Sequence, residues 1–522
     1  MSNTHQDENP ARLEHSVVAN PQHIHQRDVA SESTPAKKKY GPDLTFASET
    51  KNFEEARSHL GKEMNGHWLG PMPVDEFLKE FLPPTNVLLP DLPEDPFQDV
   101  PNDGVESARY EPFVSTRLFP QHWSCDIDHL QIAGIQGWIP HLHAVNTSNK
   151  EDTANKLKLK TDISLYNRVK GVAPPNRTDF SQMELWMEFK TKTDAMAFQD
   201  PSNSEESRRL AIEKGSFTPD TVDGINARGQ LAHYAGAQHS MQFRHFSFSV
   251  VVEDDHARFL RWDPAGTVVT AAFNYRTSPR LMAEFLWRFD HLSAGERGHD
   301  ESIQPANLPP EVDARVREKL DIKNNNIPLY RYTLPGLIGK GYAYGPRPPT
   351  QNRSLVSRCT RSLPVFWIPA VDIDEVAKPC TESSDERDGD LPAGEHKVKK
   401  GPWYEEGIIY MKDTWRFLSD LPDVEVMAEH EIYEILHHHK TPNIPEHVAG
   451  GDVEGGKTRT QEFVGAVWLC VKPRISPFQH YRLIHGIVGR VLFKFECTKQ
   501  LVTAVLDALK GALTLTYVQT VH

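Results

Sequence analysis

Cysteine is scarce and dispersed. Five occur in 522 residues, Cys125, Cys359, Cys380, Cys470 and Cys497, an odd number without a CxxC pair. That excludes a disulfide framework and a cysteine zinc site, and it fits a reducing compartment. Long apolar runs are missing too: no stretch reaches the ~18 uncharged apolar residues that a membrane helix needs. The polar segment 1–47 lacks the apolar core of a secretion signal. The expectation is an intracellular protein, cytoplasmic or nuclear, with no membrane contact. Lys37-Lys38-Lys39 reads as a solvated run rather than a nuclear address. Net positive charge is absent as well. Lys and Arg number 58 against 72 Asp and Glu, a formal charge of -14, which repels phosphate backbones and disfavours nucleic acid as a partner. Neither an HExxH pair, a serine-hydrolase elbow nor a Walker-type phosphate loop occurs.

What is present is an alternation of folded-looking and polar segments. Residues 1–47 read as a disordered tail, too polar to offset the entropy of ordering. Phe53, Ala56, Leu60 and Met64 fall at helical spacing, and VDEFLKEF after Pro73 repeats the signal. Period-two patterns rich in β-branched and aromatic residues predict strands over 157–166, 183–190, 246–252, 257–262 and 268–273. Helices are expected at 227–242 and 281–289. The fold class is therefore mixed α/β up to about residue 306. A Pro- and charge-rich bridge over 307–350 follows, then an α+β region over 351–522 with strands at 365–368, 407–412 and 481–488 and helices at 424–437 and 498–513. Residues 378–401 read as a mobile polar insertion.

Three groups of side chains are candidates for chemistry. Lys412 ends the apolar strand IIYM, where a lysine can reach phosphates while pairing with a carboxylate on the following helix. Glu431 is the favoured partner, with Glu434 left open. His437-His438-His439 sit beside them, but consecutive helical residues point roughly 100° apart and cannot converge on one ion. Upstream, Asp162 opens a strand, Glu188 and Lys190 share one face of another, and Gln230 and Tyr234 lie one helical turn apart. Arg261-Trp262-Asp263 reads as packing with a capped turn.

Long runs in order resemble the fungal-type protein kinase family: RGQLAHYA from Arg228, FRHFSFSVVVEDDHARFLRWDPAGTVVTAAFNY from Phe243, LMAEFLWRF from Leu281, Ser357-Arg358-Cys359-Thr360-Arg361, MKDTWR from Met411 and VGRVLFKF from Val488. The resemblance implies an N-terminal α/β region followed by a kinase-like N-lobe and the start of a C-lobe. It also implies ATP with magnesium as cofactor, with Lys412, Glu431, Ser357, Cys359 and the linker residue Gly489 around the nucleotide. Ser357 and Cys359 stand where the family's phosphate-covering turn has glycine, so affinity is expected to be weak. The His-Arg-Asp loop and Asp-Phe-Gly metal ligand would follow His522. The expectation is a truncated pseudokinase that does not transfer phosphate.

Two alternatives stand beside it. One is a protein-interaction module using the apolar face Leu501, Val502, Val505, Leu509 and Ala512. The other is a metal-dependent nuclease. Asp162, Glu188 and Lys190, with Gln230 and Tyr234, resemble the PD-(D/E)xK core, in which two carboxylates hold a divalent metal, although Thr161 stands where that pattern prefers proline.

Overall fold

Two sheets, each with its own apolar core, carry the architecture. The computed structural model describes residues 53–119, 138–369 and 407–521, apart from breaks at 85–86, 155–157, 192–195, 203, 338–339, 349–353, 420–424 and 490–494. The tail 1–47 and the insertion 378–401 lie outside the described residues.

The chain begins with helix α1 (Phe53–Glu63), strand β1 (Trp68–Met72), helix α2 (Val74–Phe81) and short helix α3 (Tyr110–Val114). Strands β2 (Leu142–Asn146), β3 (Ile163–Asn167) and β4 (Met183–Lys190) precede helices α4 (Glu205–Lys214) and α5 (Val222–Met241). Then come β5 (Ser247–Glu253), β6 (His256–Asp263), β7 (Gly266–Thr270), β8 (Phe273–Asn274) and α6 (Pro279–His291). These strands form one sheet in the order β1-β7-β6-β5-β4-β3-β2, with β8 on β6. Strands β2, β3 and β4 are antiparallel. Helix α5 connects to β5, which runs parallel to β4, Glu188 facing Val251. A crossover helix is what joining parallel neighbours requires. Helix α5 is buried along most of its length, so its face is nearly all apolar or small, and Tyr234 meets the Trp186 ring edge-on at 5.4 Å. Trp68, Trp186, Trp262, Phe77, Phe97 and Phe113 fill this core. Arg261 and Asp263 pair at 2.7 Å within it, and Asp263 also accepts the Ala265 N–H, the capped turn expected from sequence.

The second sheet uses β9 (Ile303–Pro305), β10 (Leu329–Tyr332), β11 (Gly341–Pro346), β12 (Arg361–Pro369), β13 (Ile408–Phe417), β14 (His447–Lys457) and β15 (Phe478–His485), in the order β14-β15-β13-β12-β11-β10-β9 and antiparallel throughout. Helix α7 (Pro310–Lys319) lies between β9 and β10, α8 (Glu429–His438) between β13 and β14, and α9 (Thr498–Val521) follows β15. The stretch 307–350, expected as an irregular bridge, thus contributes a helix and two strands. Its prolines punctuate rather than disorder: Pro310 takes the first helical turn and Pro346 closes β11, positions where a missing N–H is tolerated. Strand β14 was invisible to pattern because four glycines deplete its β signal. Gly450 has a packing reason: a Cβ there would lie 2.7 Å from His430 Cβ on α8 and 2.8 Å from the Tyr481 hydroxyl.

The described residues belong to one compact unit. Between β14 and β15 the chain returns to the first sheet, where Trp468, Leu469, Cys470 and Val471 join the larger core and Cys470 N–H donates to Gly70 at 2.9 Å. The expected boundary near residue 350 is therefore crossed by packing on both sides. Among the described residues no helix is long and apolar enough to cross a membrane.

Candidate functional sites

Lys412 sits in the middle of β13, in register with Ser362 on β12 and Leu483 on β15. Its ammonium donates to both carboxylate oxygens of Glu429, at 2.8 and 2.6 Å. The partner expected from the sequence is Glu431; in the structure it is Glu429, two residues earlier. Ala428 at the N-cap has no side-chain oxygen to satisfy the helix start, and Glu431, three residues on, folds back to accept the Ala428 N–H at 2.5 Å. That is half of a capping box, and it turns the Glu431 carboxylate away from Lys412. Glu429, on the first turn, is left to face the strand. Two substitutions separate these roles. Glu431→Ala is expected to cost about 1 kcal/mol of stability through the lost cap. Glu429→Gln is expected to leave stability within about 0.5 kcal/mol, as a part-exposed pair should. Chemical denaturation reads both.

The turn 354–360 joins β11 to β12 and is fastened to β13: the Arg358 carbonyl accepts from Trp415 N–H at 2.8 Å and from the Thr414 hydroxyl at 3.0 Å. Ser357 and Cys359 do not offer themselves to a ligand as the resemblance implied. Ser357 Oγ accepts the Cys359 N–H at 3.2 Å, and the Cys359 thiol points inward to the Ser354 carbonyl at 3.4 Å. Burial pushes that thiol's pKa up. Gly489 follows β15, and among the described residues other than its chain neighbours no atom lies within 4 Å of where its Cβ would stand. The apolar face of α9 is exposed at Val502, Val505, Leu506 and Leu509.

The upstream residues converge as expected. Asp162, at the head of β3, accepts the Phe189 N–H from β4 at 2.8 Å. Alternation along β4 puts Trp186, Glu188 and Lys190 on the face that α5 covers. One Glu188 oxygen, Oε1, accepts from Lys190 Nζ and from Gln230 Nε2, each at 2.5 Å, and Gln230 also donates to the Tyr234 hydroxyl at 2.7 Å. The other, Oε2, is buried and has no hydrogen-bond partner among the described residues. Burial together with the neighbouring Glu188 charge pushes Asp162 up to about 8. Burial raises Glu188 against the opposing pull of Lys190. Sequence reasoning missed a further arm of this site, in which Tyr110 of α3 donates to Glu106 at 2.8 Å and Glu106 adds negative potential at Asp162 and Glu188.

A third cluster, unseen in the sequence, lies between the sheets. His480 Nε2 meets Asp413 at 2.7 Å, and its Nδ1 faces His245 Nε2 at 3.1 Å. Arg482 donates to Asp413 and Asp300 at 2.8 Å each, to the Thr333 carbonyl at 2.9 Å and to the Ser302 hydroxyl at 2.7 Å. His245, Asp300 and His480 are close enough to share an ion. The guanidinium already occupies the cation position between the two carboxylates, however, so the cluster reads as the ionic joint of the two sheets. Burial opposes ionisation of Asp413, but His480 and Arg482 outweigh it and hold its pKa below the usual carboxylate range. The strands predicted at 407–412 and 481–488 stop one residue short of Asp413 and His480; that these residues meet Asp300 and His245 is a property of the tertiary fold.

Comparison with family models, curated proteins and solved structures finds no match to this chain.

Proposed function

We propose that this chain is a kinase-like nucleotide-binding protein of the fungal-type group it resembles, with Lys412 and Glu429 as the phosphate-orienting pair. The observation that carries this reading is the two-oxygen contact of Lys412 with Glu429. A lysine in the third of three sequential antiparallel strands, β11 to β13, holds a carboxylate on the helix that follows, which is the relation kinases use to orient the phosphates of ATP. The reading concerns binding: neither residue is a base or a metal ligand for phosphoryl transfer. Magnesium would accompany the triphosphate as its counterion. The test is titration of the full chain with a fluorescent ATP analogue in magnesium buffer. Lys412→Met is expected to weaken binding at least tenfold; equal affinity in both proteins contradicts the proposal.

A second reading rests on Glu188 Oε2, a buried carboxylate oxygen without a partner beside a second carboxylate whose pKa is raised. Two buried carboxylates with Lys190 as their one close cation keep an uncompensated negative charge, which is costly. The donor set of Asp162 and Glu188 fits a hard divalent ion such as magnesium or manganese, which would supply an activated water for phosphodiester hydrolysis. Lys190 would hold its charge against the developing anion, and Gln230 would fix the Glu188 carboxylate. The net charge of -14 works against a polyanionic substrate, which ranks this reading second. Manganese-dependent cleavage of single-stranded oligonucleotide that vanishes in Glu188→Gln is its signature.

A further inference from the structure

The turn over Lys412 contains no glycine between residues 354 and 360, and it carries the guanidinium of Arg358. Glycine turns hold phosphate with backbone N–H groups that approach closely because no side chain intervenes. Here the Cys359 N–H is already taken by Ser357 Oγ at 3.2 Å, and Cys359 adopts a left-handed φ of 42° with its side chain turned inward. A backbone cradle is not what this turn offers.

Arg358 stands differently. Its carbonyl is pinned to β13 by Trp415 and Thr414, so the residue's position is fixed while its side chain, 31% exposed, reaches toward α8. Nη2 is 3.7 Å from Glu429 Oε2, beyond hydrogen-bond length, whereas Lys412 Nζ lies 2.6 and 2.8 Å from the two oxygens of that carboxylate. Arg358 Nε is buried and has no hydrogen-bond partner among the described residues. Two cations thus face one carboxylate, leaving a formal excess of one positive charge and an unsatisfied planar donor beside Lys412. A guanidinium fork matches two oxygens of a phosphate, and such charge-assisted bidentate pairs are among the strongest hydrogen bonds proteins make.

We propose that Arg358 is a phosphate ligand: it swings from Glu429 to clamp the β- and γ-phosphates of a nucleoside triphosphate, replacing with side-chain charge the backbone donors that the turn lacks. The inference rests on the nucleotide-binding reading above. It also reverses the expectation that losing glycine from this turn simply weakens the site, and it makes affinity depend on the number of phosphates.

The experiment is calorimetric titration of the full chain with magnesium-ATP, AMP and inorganic tripolyphosphate, comparing wild type, Arg358→Met, Arg358→Lys and Lys412→Met. Wild type is expected to bind ATP and tripolyphosphate at least tenfold more tightly than AMP. Arg358→Met should lose at least tenfold for the two polyphosphates and change AMP binding by less than about twofold, with Arg358→Lys recovering only part of the loss, as expected of a fork replaced by a point charge. Thermal unfolding of Arg358→Met should match wild type, because the side chain is part-exposed and makes no short contact. If Arg358→Met binds ATP as wild type does while Lys412→Met does not, the clamp is wrong and the nucleotide reading stands. Tighter ATP binding by Arg358→Met would make Arg358 an obstruction and overturn the clamp equally. If wild type binds no ATP, both fall together.

Discussion

Arg482→Met is expected to destabilise the chain by about 3–5 kcal/mol, the cost of removing one partner from a buried ion network. The arginine is fully buried. Its guanidinium satisfies Asp413 and Asp300 at once, together with a hydroxyl and a backbone carbonyl. Without it, two carboxylates remain in the interior with His480, His245 and the more distant Arg361 as their remaining cationic or ionisable partners. The network also predicts non-additivity: Asp413→Asn in the Arg482→Met background should cost much less than Asp413→Asn alone, because the charge it removes no longer has its counterion. The pH dependence has a definite sign. Asp413 and Asp300 are held below their ordinary pKa against the effect of burial, by His480 and Arg482 for Asp413 and chiefly by Arg482 for Asp300. Their contribution to stability is therefore present above about pH 4 and lost as pH falls through the depressed native values. Arg482→Met should bring the acid transition to higher pH. Urea unfolding at pH 7 and an acid titration read both effects, and a loss below about 1 kcal/mol would mean the two sheets are not joined here.

The second large effect has the opposite sign. Asp162 is raised to about 8 by burial and by the Glu188 charge, so the native chain binds this proton more tightly than the unfolded chain does. Stability from this group is full below about pH 4 and is lost as pH rises through about 8. The groups that face it are Glu188 and Lys190 on β4, Glu106 before α3, Tyr110 on α3, Tyr234 on α5, and Arg57 on α1, which acts through Glu188 and Tyr234. Asp162→Asn keeps the acceptor for Phe189 N–H and removes the charge. It is expected to flatten the pH dependence between about 4 and 8 and to stabilise the chain at pH 8.5 by a few kcal/mol. Millimolar magnesium or manganese should stabilise the wild type at that pH, since a bound ion takes the proton's place, and should do nothing for Asp162→Asn. Thermal unfolding at pH 6 and 8.5, with and without the ion, is the measurement. A variant less stable than wild type at pH 8.5 would place Asp162 in a different electrostatic setting.

Much of this architecture can be read from residue patterns, and what escaped reading did so for identifiable reasons. Strand β4 carries a strong alternating signal, and its predicted bounds, 183–190, are those observed. Helix α5 starts five residues earlier than its apolar stripe because Thr221 caps it, accepting the Gly224 N–H at 3.0 Å. The D…ExK residues were legible because the spacing of Glu188 and Lys190 fixes a shared face and Asp162 opens the neighbouring strand. Glu429 was not, since choosing among Glu429, Glu431 and Glu434 requires knowing where the helix begins, and that depends on which glutamate folds back as the cap. The ionic joint had no linear signature at all. Arg482 and Asp413 are cross-strand neighbours in register, but Asp300 and His245 reach them only through packing between separate sheets.

Hydrogen–deuterium exchange of the full chain with and without magnesium-ATP tests the proposed nucleotide site between Lys412, Glu429 and the turn at Arg358. Protection is expected across residues 354–361, 408–417 and 429–438 and is expected to disappear in Lys412→Met; no protection there, or protection confined to the first sheet, would contradict it.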